Sequence, residues 1–407
     1  AEELSVDALI APSFQLGLLA ERGLVAPVPK DMLRGSTATG SASEDRPAEW
    51  SDVFELPKLR EAAWETDVMG LTFGSPVFTL YYRADLLEEL GHQPPETWEE
   101  YKKLAVLLAD AGDASDAGGD GQSWYGTIEP LAPGWAGLVL LARAAPYAKH
   151  RDNYSTLFDI STMEPLIAGP PFVWALEALV AATEPGGREM LRYDPASARE
   201  AVWQGRCGMA LTWPSAAAEI SESKALQIGI AELPGSNDVY DVGSQSKERR
   251  TEDEDRRVPL LAIAGRIGLV SKASSHREHA FQLLAWLSSE RLGAQVCSGS
   301  PATTLFRRSH ENAPGEWVES CMSVPTAKAY AELTETTFLR QQWLFALRIA
   351  GRDEYLAALD EAVRRAVSKE CTAEEALDAA ADQWRAITER LGREQQKTAY
   401  RHSLGLP

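Results

Sequence analysis

No uninterrupted apolar run of about 18 residues occurs along the chain, so no membrane-spanning helix is expected. Cysteine is scarce: four residues in 407 (Cys207, Cys297, Cys321 and Cys371), scattered singly. Without a Cys-x-x-Cys pair or other metal-type spacing, a structural zinc is not expected, and no metal site or cofactor is assigned. One or two disulfides stay open in an oxidising compartment. Positive charge is in deficit, with 40 Lys and Arg against 60 Asp and Glu and a formal net charge of −20. That balance argues against nucleic acid and anionic membrane surfaces, because phosphate binding needs a basic field. Catalytic signatures are missing too. There is no Gly-x-Ser-x-Gly elbow, no P-loop and no His-Glu-x-x-His. Among 60 acidic residues a carboxylate pair for glycoside cleavage can always be drawn, so such a pair discriminates nothing. No repeat of fixed period is found. No export signal stands at Ala1, where an acidic start runs into a strand-like stretch, so composition leaves the compartment open.

What is present suits a large soluble body. Hydrophobic residues make up 44% and charged residues 25%, and the length is enough for two domains or one two-lobed body. The most informative stretch runs from Gly74 to Asp110. An apolar, β-prone run (Val77–Tyr82) is followed by a short helix over Ala84–Leu90 that stops at Gly91. Pro94-Pro95 then leads into Thr97-Trp98-Glu99-Glu100, a capping box for a helix with Tyr101, Leu104, Ala105 and Leu108 on one face. Trp98 lies inside the first helical turn and is read as structural.

Elsewhere the punctuation is similarly readable. Val6–Ile10 reads as a strand broken by Pro12-Ser13, with a helix over Phe14–Arg22 ending at Gly23. Gly35–Pro47 and Ala109–Ser123 read as mobile loops. The Asp110, Asp113, Asp116 and Asp120 series lacks the alternation of a calcium loop. Trp135–Tyr147 is an apolar helix. Asp194 caps a helix with Pro195 at its first position and Gly205 at its end, followed by a strand over Cys207–Trp213. Lys247–Arg257 is a mixed charge run, read as a flexible insertion. Ser275 and Glu278 are placed as a second capping box, and His276 and His279 as exposed helix residues. The remainder is helical, with Leu356, Leu359, Val363 and Ala366 on one face and Thr372 and Glu375 capping a long last helix.

Four of these segments stand in one order that resembles the sugar-binding branch of the bacterial solute-binding proteins serving ABC importers. There a strand ending Tyr-Tyr-Asn precedes a helix and a Pro-x-Thr-Trp-x-Glu signature; Arg83 stands here in place of the Asn. Cys207–Trp213, Ile228–Gly235 and Gly265–Lys272 resemble the later strands of that family, and Tyr154–Val180 resembles its stretch in which a short hairpin precedes a helix. The resemblance implies an α/β, two-lobed periplasmic-binding-protein fold of type II-like character. Each lobe is a sheet flanked by helices, and the C-terminal part is helix-rich. The lobes are expected at residues 1–75 with 262–303 and 79–257 with 308–407, crossing near 75–79, 257–264 and 303–308. A first strand-helix-strand unit that family members carry is expected to be missing from the first lobe.

A sugar presents hydroxyls around an apolar ring face, so its site needs an aromatic plate and polar groups from both lobes. On that logic and the resemblance, the candidates are Ser13, Phe14, Gln15, Ser75, Pro76, Trp135, Trp213, Tyr240, Arg266 and Thr303. Most have a competing reading: Ser13 and Gln15 as caps, Phe14, Trp135 and Trp213 as core, Ser75-Pro76 as a turn, Arg266 as a hinge ion pair. The implied function is capture of a small solute, a carbohydrate, and its delivery to the permease subunits of an importer. No catalysis is implied, the place of work is outside the cytoplasm, and a monomer is expected. The alternatives are a secreted glycan-active enzyme and a lobe that senses a ligand and signals to a membrane receptor.

Overall fold

A computed structural model describes residues 3–33, 50–115, 123–220 and 226–407. Two four-stranded sheets organise it. In the first, Arg266–Ser271 is the central strand, paired antiparallel with Ala8–Pro12 on one side and with Val25–Ala26 and Leu71–Thr72 on the other. In the second the order is Tyr125–Ile128, Cys207–Thr212, Thr79–Arg83, Ile228–Glu232. Only the first of those pairings is parallel. The mixed α/β architecture with sheets flanked by helices is the expected one. Strands alternate with helices up to about the middle of the chain, and from residue 273 onward helices dominate.

Most boundaries follow the local chemistry. The first strand sits two residues later than its apolar run suggests, because pairing from Ala8↔Val270 to Pro12↔Arg266 sets the register. The Trp98 helix starts as predicted, with Thr97 Oγ1 accepting the Glu100 amide at 3.2 Å. The return arm of the box is displaced: Glu100 takes the amide of Glu96, not Thr97. That helix also runs on to Ser115 rather than giving way to a loop at Ala109, since alanine-rich sequence favours continuation. Asp194 and Thr372 close complete capping boxes. Ser275 does not; His276 is the cap residue of Arg277–Leu287 and no side chain bonds into the first turn. The expected hairpin before helix Pro170–Thr183 reduces to one bridge, Phe158↔Pro165.

The charge run 247–257 is not a loose insertion. Ser246–Arg249 pairs with Asp238–Asp241, and Arg250 donates to the carbonyls of Pro146 (2.7 Å) and Lys149 (3.1 Å). These carbonyls sit at the end of helix Ala136–Ala148, so the arginine satisfies helix-terminal acceptors that would otherwise be stranded. The Gly35–Pro47 loop, Asp116 and Asp120 lie outside the described residues. Cys207, Cys297 and Cys371 are free thiols, and burial pushes the Cys297 thiol up to about 12. Among the described residues no helix is long and apolar enough to cross a membrane.

Helix Trp98–Ser115 lies directly on the second sheet because glycines face it. A Cβ on Gly126 would run into the Ala105 carbonyl and come within 2.8 Å of the Ala109 amide; one on Gly208 would stand 2.8 Å from Leu108. Both obstacles at Gly126 are backbone, which cannot rotate away. Gly126→Ala is therefore expected to destabilise the protein by about 2–3 kcal/mol, read from its denaturant midpoint.

His310 supplies an acid response. Its ring is buried between Phe306 (centroids 4.9 Å apart) and Trp317 (4.4 Å). Burial, helped by the Arg307 charge, lowers its pKa from 6.5 to about 3. A depressed folded value means the contribution is complete above about 6.5 and is lost as pH falls toward 3. His310→Leu should therefore remove a loss of about 2 kcal/mol that the wild type suffers by about pH 5, measured by urea unfolding across pH.

Candidate functional site

Three separated segments meet where the two sheets adjoin. The Ser13 amide donates to Gly265 O at 3.3 Å, and its hydroxyl donates to Ala264 O at 2.7 Å. The Arg266 amide donates to Gly74 O at 3.0 Å, and the Phe73 amide to Arg266 O at 2.8 Å. Gly74 (φ +110) and Gly265 (φ +100) both adopt left-handed backbone that disfavours a side chain. There is no room for one either. A Cβ on Gly74 would stand 2.7 Å from Thr304 O, and one on Gly265 would stand 2.9 Å from Gly74 O.

Beneath this junction lies Glu61, only 3% exposed. It accepts the Ser75 hydroxyl proton. Burial raises its carboxyl above the ordinary range, and the Ser13 and Ser75 hydroxyls and the Arg348 charge oppose that rise. Arg348 in turn donates to the carbonyls of Glu61 (2.9 Å) and Ser403 (2.6 Å), joining the last helix to this region.

An aromatic cluster adjoins the junction. Phe78, Trp135 and Trp213 have ring centroids 6.4 Å (Phe78–Trp135), 5.7 Å (Phe78–Trp213) and 5.5 Å (Trp135–Trp213) apart. Phe78 and Trp213 are buried, whereas Trp135 keeps part of its surface open. Trp213 donates its indole N–H to Pro301 O at 2.9 Å, which brings the Ser300–Thr304 segment into the cluster. Trp135 is set by its helix. It precedes Ala136–Ala148, whose first amides are capped from elsewhere: Gly134 N and Gly137 N donate to Asp360 at 2.5 and 2.7 Å. Burial raises the Asp360 carboxyl, and the two amides and Arg352 pull it back. Arg352 lies two helical turns before Asp360 and stacks over Phe14, its guanidinium carbon 3.8 Å from the ring centre.

The structure gathers Ser13, Phe14, Ser75, Pro76, Arg266 and Thr303 at the junction, with Trp213 and Trp135 beside it. Their side chains are not equally available. The hydroxyls of Ser13, Ser75 and Thr303 are buried and bonded to protein acceptors. Trp213 has its N–H engaged. Phe14, Trp135 and Arg266 are half-buried and Gln15 is exposed. Tyr240 stands apart. It packs on Trp174 (6.0 Å), which packs on Tyr147, near the far end of the helix that Trp135 begins, about 20 Å along its axis. Phe78, Arg352, Asp360 and Glu61 are not among the site candidates read from sequence. Asp360 caps amides 223 and 226 residues away, a pairing with no local signal.

One group of possible metal ligands occurs among the described residues, Glu21, Glu65 and His402. Glu21 also takes the Trp64 indole N–H at 2.7 Å and lies 2.6 Å from His402 Nδ1, so the group reads as a hydrogen-bonded cluster fastening the last helix. A cavity of about 30 Å³ between Phe78, Pro234, Val258 and Arg340 has room for roughly one water, not for a sugar ring.

The chain is similar to known proteins. A family model described as bacterial extracellular solute-binding protein matches residues 8–294. Among solved structures, maltose-bound MalE3 of T. maritima superposes with a TM-score of 0.65 at 18% identity, covering 94% of this chain and 85% of that one. An ABC transporter solute-binding protein from Agrobacterium radiobacter K84 in complex with ribitol gives 0.64 at 16% identity, with 94% and 85% covered. Another, from Agrobacterium vitis S4 with bound D-mannitol, gives 0.63 at 17%, with 95% and 86% covered.

Proposed function

Since this chain belongs to the bacterial extracellular solute-binding proteins, we propose that it captures a carbohydrate or sugar alcohol between its lobes and delivers it to the membrane subunits of an ABC importer. The observation that carries this reading is the aromatic cluster at the junction of the crossings, with Trp135 presenting the open ring surface. A ring face or polyol chain stacks on such a plate through its C–H groups. Gln15 and Arg266 stand nearby as donors for hydroxyls, and Arg266 can offer a bidentate pair to vicinal oxygens. That the structural neighbours hold maltose, ribitol and mannitol supports a polyhydroxylated solute.

In this reading the first lobe comprises residues 1–75 and 262–303, and the second 79–257 and 308–407, with the last helix seated back on the first lobe through Arg348 and His402. Binding is a hinge equilibrium. A solute that touches both lobes favours the closed state by its differential affinity for that state, and the closed protein docks on the permease. The protein works outside the cytoplasm, as a monomer, and makes and breaks no covalent bond. A thermal-shift screen tests this. Some mono- or oligosaccharide or polyol should raise the melting temperature, by about 2.7 kcal/mol of linkage at a hundredfold excess over Kd. A shift with amino acids or peptides and none with any carbohydrate would sink the assignment.

A further inference from the structure

The buried wall behind the aromatic cluster is held by an ion pair. Arg199, on helix Pro195–Trp203, donates from Nη1 to Trp213 O at 2.8 Å. Its Nε lies 3.1 Å from Glu319 Oε1. The same carboxylate oxygen accepts the Ser215 amide at 3.3 Å. The two residues on either side of Pro214 are thus gripped by opposite members of one pair, while the Trp213 indole is tied to Pro301. Glu319 is 1% exposed and Arg199 is 3% exposed, and Tyr81 donates to both carboxylate oxygens at 3.2 and 3.1 Å. Glu319 comes from the segment following Trp317, so one interaction joins three stretches distant in sequence.

We propose that Arg199 and Glu319 are positioning residues for the solute wall: their ion pair sets the Trp213–Ser215 turn, and breaking it moves Trp213 against Trp135 and Phe78. This rests on the reading above that the cluster borders the solute. Neither residue touches the open surface, so both act through Trp213.

The charged and titratable groups facing Glu319 are Arg199 from its helix, Tyr81 from strand Thr79–Arg83 and Tyr330 from helix Val324–Phe338. Burial raises the Glu319 carboxyl to about 7, with Arg199 pulling the other way. Around neutral pH the carboxylate therefore gains a proton. Arg199 then still donates to the Trp213 carbonyl but loses its counter-ion, and the grip on the turn loosens.

Fluorotryptophan-labelled protein tests this without any ligand. The chain has twelve tryptophans, and Trp213→Phe assigns the fluorine signal of interest. In the wild type that signal should titrate with a midpoint near 7, while the signal of Trp384, packed against Tyr355 and Phe158, stays still. Glu319→Gln should abolish the titration and leave the remaining signals dispersed as in the folded protein. Tyr81→Phe removes a donor to the carboxylate and should move the midpoint upward, so the idea remains testable if Glu319→Gln fails to fold. A Trp213 signal that is flat from about pH 5 to about pH 9, or that titrates unchanged in Glu319→Gln, would overturn the proposal. Since no solute is added, failure here and failure of the carbohydrate reading are separate results.

Discussion

Trp135→Ala is expected to leave the protein folded and to weaken saccharide binding by about a hundredfold, close to 3 kcal/mol. The expectation follows from where the ring stands. Trp135 is half-buried at the start of helix Ala136–Ala148, and it contributes one edge to a cluster whose other members are already buried. Truncation removes the surface open to a solute while Phe78 and Trp213 keep their mutual contact at 5.7 Å. Trp213→Ala should behave differently. That ring is 4% exposed, and losing it opens a cavity costing about 3–5 kcal/mol of stability. Trp135→Phe keeps an aromatic face and should retain most of the affinity. The two alanine variants, compared by calorimetric titration and by denaturant unfolding, separate a binding residue from a packing residue. Equal effects of both on stability and affinity would contradict the assignment.

Arg143→Ala should cost about 3–5 kcal/mol of stability. Arg143 and Glu129 are each fully buried, with Nη1 2.8 Å from the carboxylate. The guanidinium stacks over Trp98 at 4.1 Å, and Tyr101 donates its hydroxyl to Glu129 at 3.2 Å. Burial raises the Glu129 carboxyl, and Arg143 is what chiefly opposes that. Removing the cation alone strands a carboxylate in the core and deletes the stacking on Trp98 as well. Replacing both members together, Glu129→Leu with Arg143→Met, removes the unpaired charge along with its partner. The double variant should therefore recover most of the stability, and chemical denaturation of the two variants and the wild type makes the comparison. A double variant no better than Arg143→Ala would mean that packing, not charge, dominates this site.

The parts of the fold that were legible in sequence are those whose causes are local. Asp194, Pro195 and Gly205 bound a helix because each acts on its own backbone, and Thr372 with Glu375 does the same. The meeting of Ser13, Ser75, Arg266 and Thr303 was anticipated through the order of motifs rather than through any property of those residues. What composition misjudged were segments rescued by distant partners. The run 247–257 looked unfolded by charge, yet Arg250 finds carbonyl acceptors about a hundred residues away. Ser275 has the right spacing for a capping box, but the helix begins so that His276 is the cap residue. Tyr240 has the chemistry of a stacking residue and the wrong address, because its hairpin packs on Trp174. Asp360 beneath Trp135 was invisible, since nothing near residue 360 announces that it caps a helix starting at 136. That Trp213 is buried while Trp135 keeps some surface open likewise depends on packing between distant segments.

The central claim is that a saccharide or polyol is held between the two lobes and draws them together. Small-angle X-ray scattering, with the solute giving the largest thermal shift titrated into wild type and Trp135→Ala, tests it most directly. The account predicts a saturable decrease in radius of gyration at one solute per chain in the wild type, shifted to about a hundredfold higher concentration in the variant. Saturable binding with an unchanged radius, or compaction that Trp135→Ala leaves untouched, would contradict it.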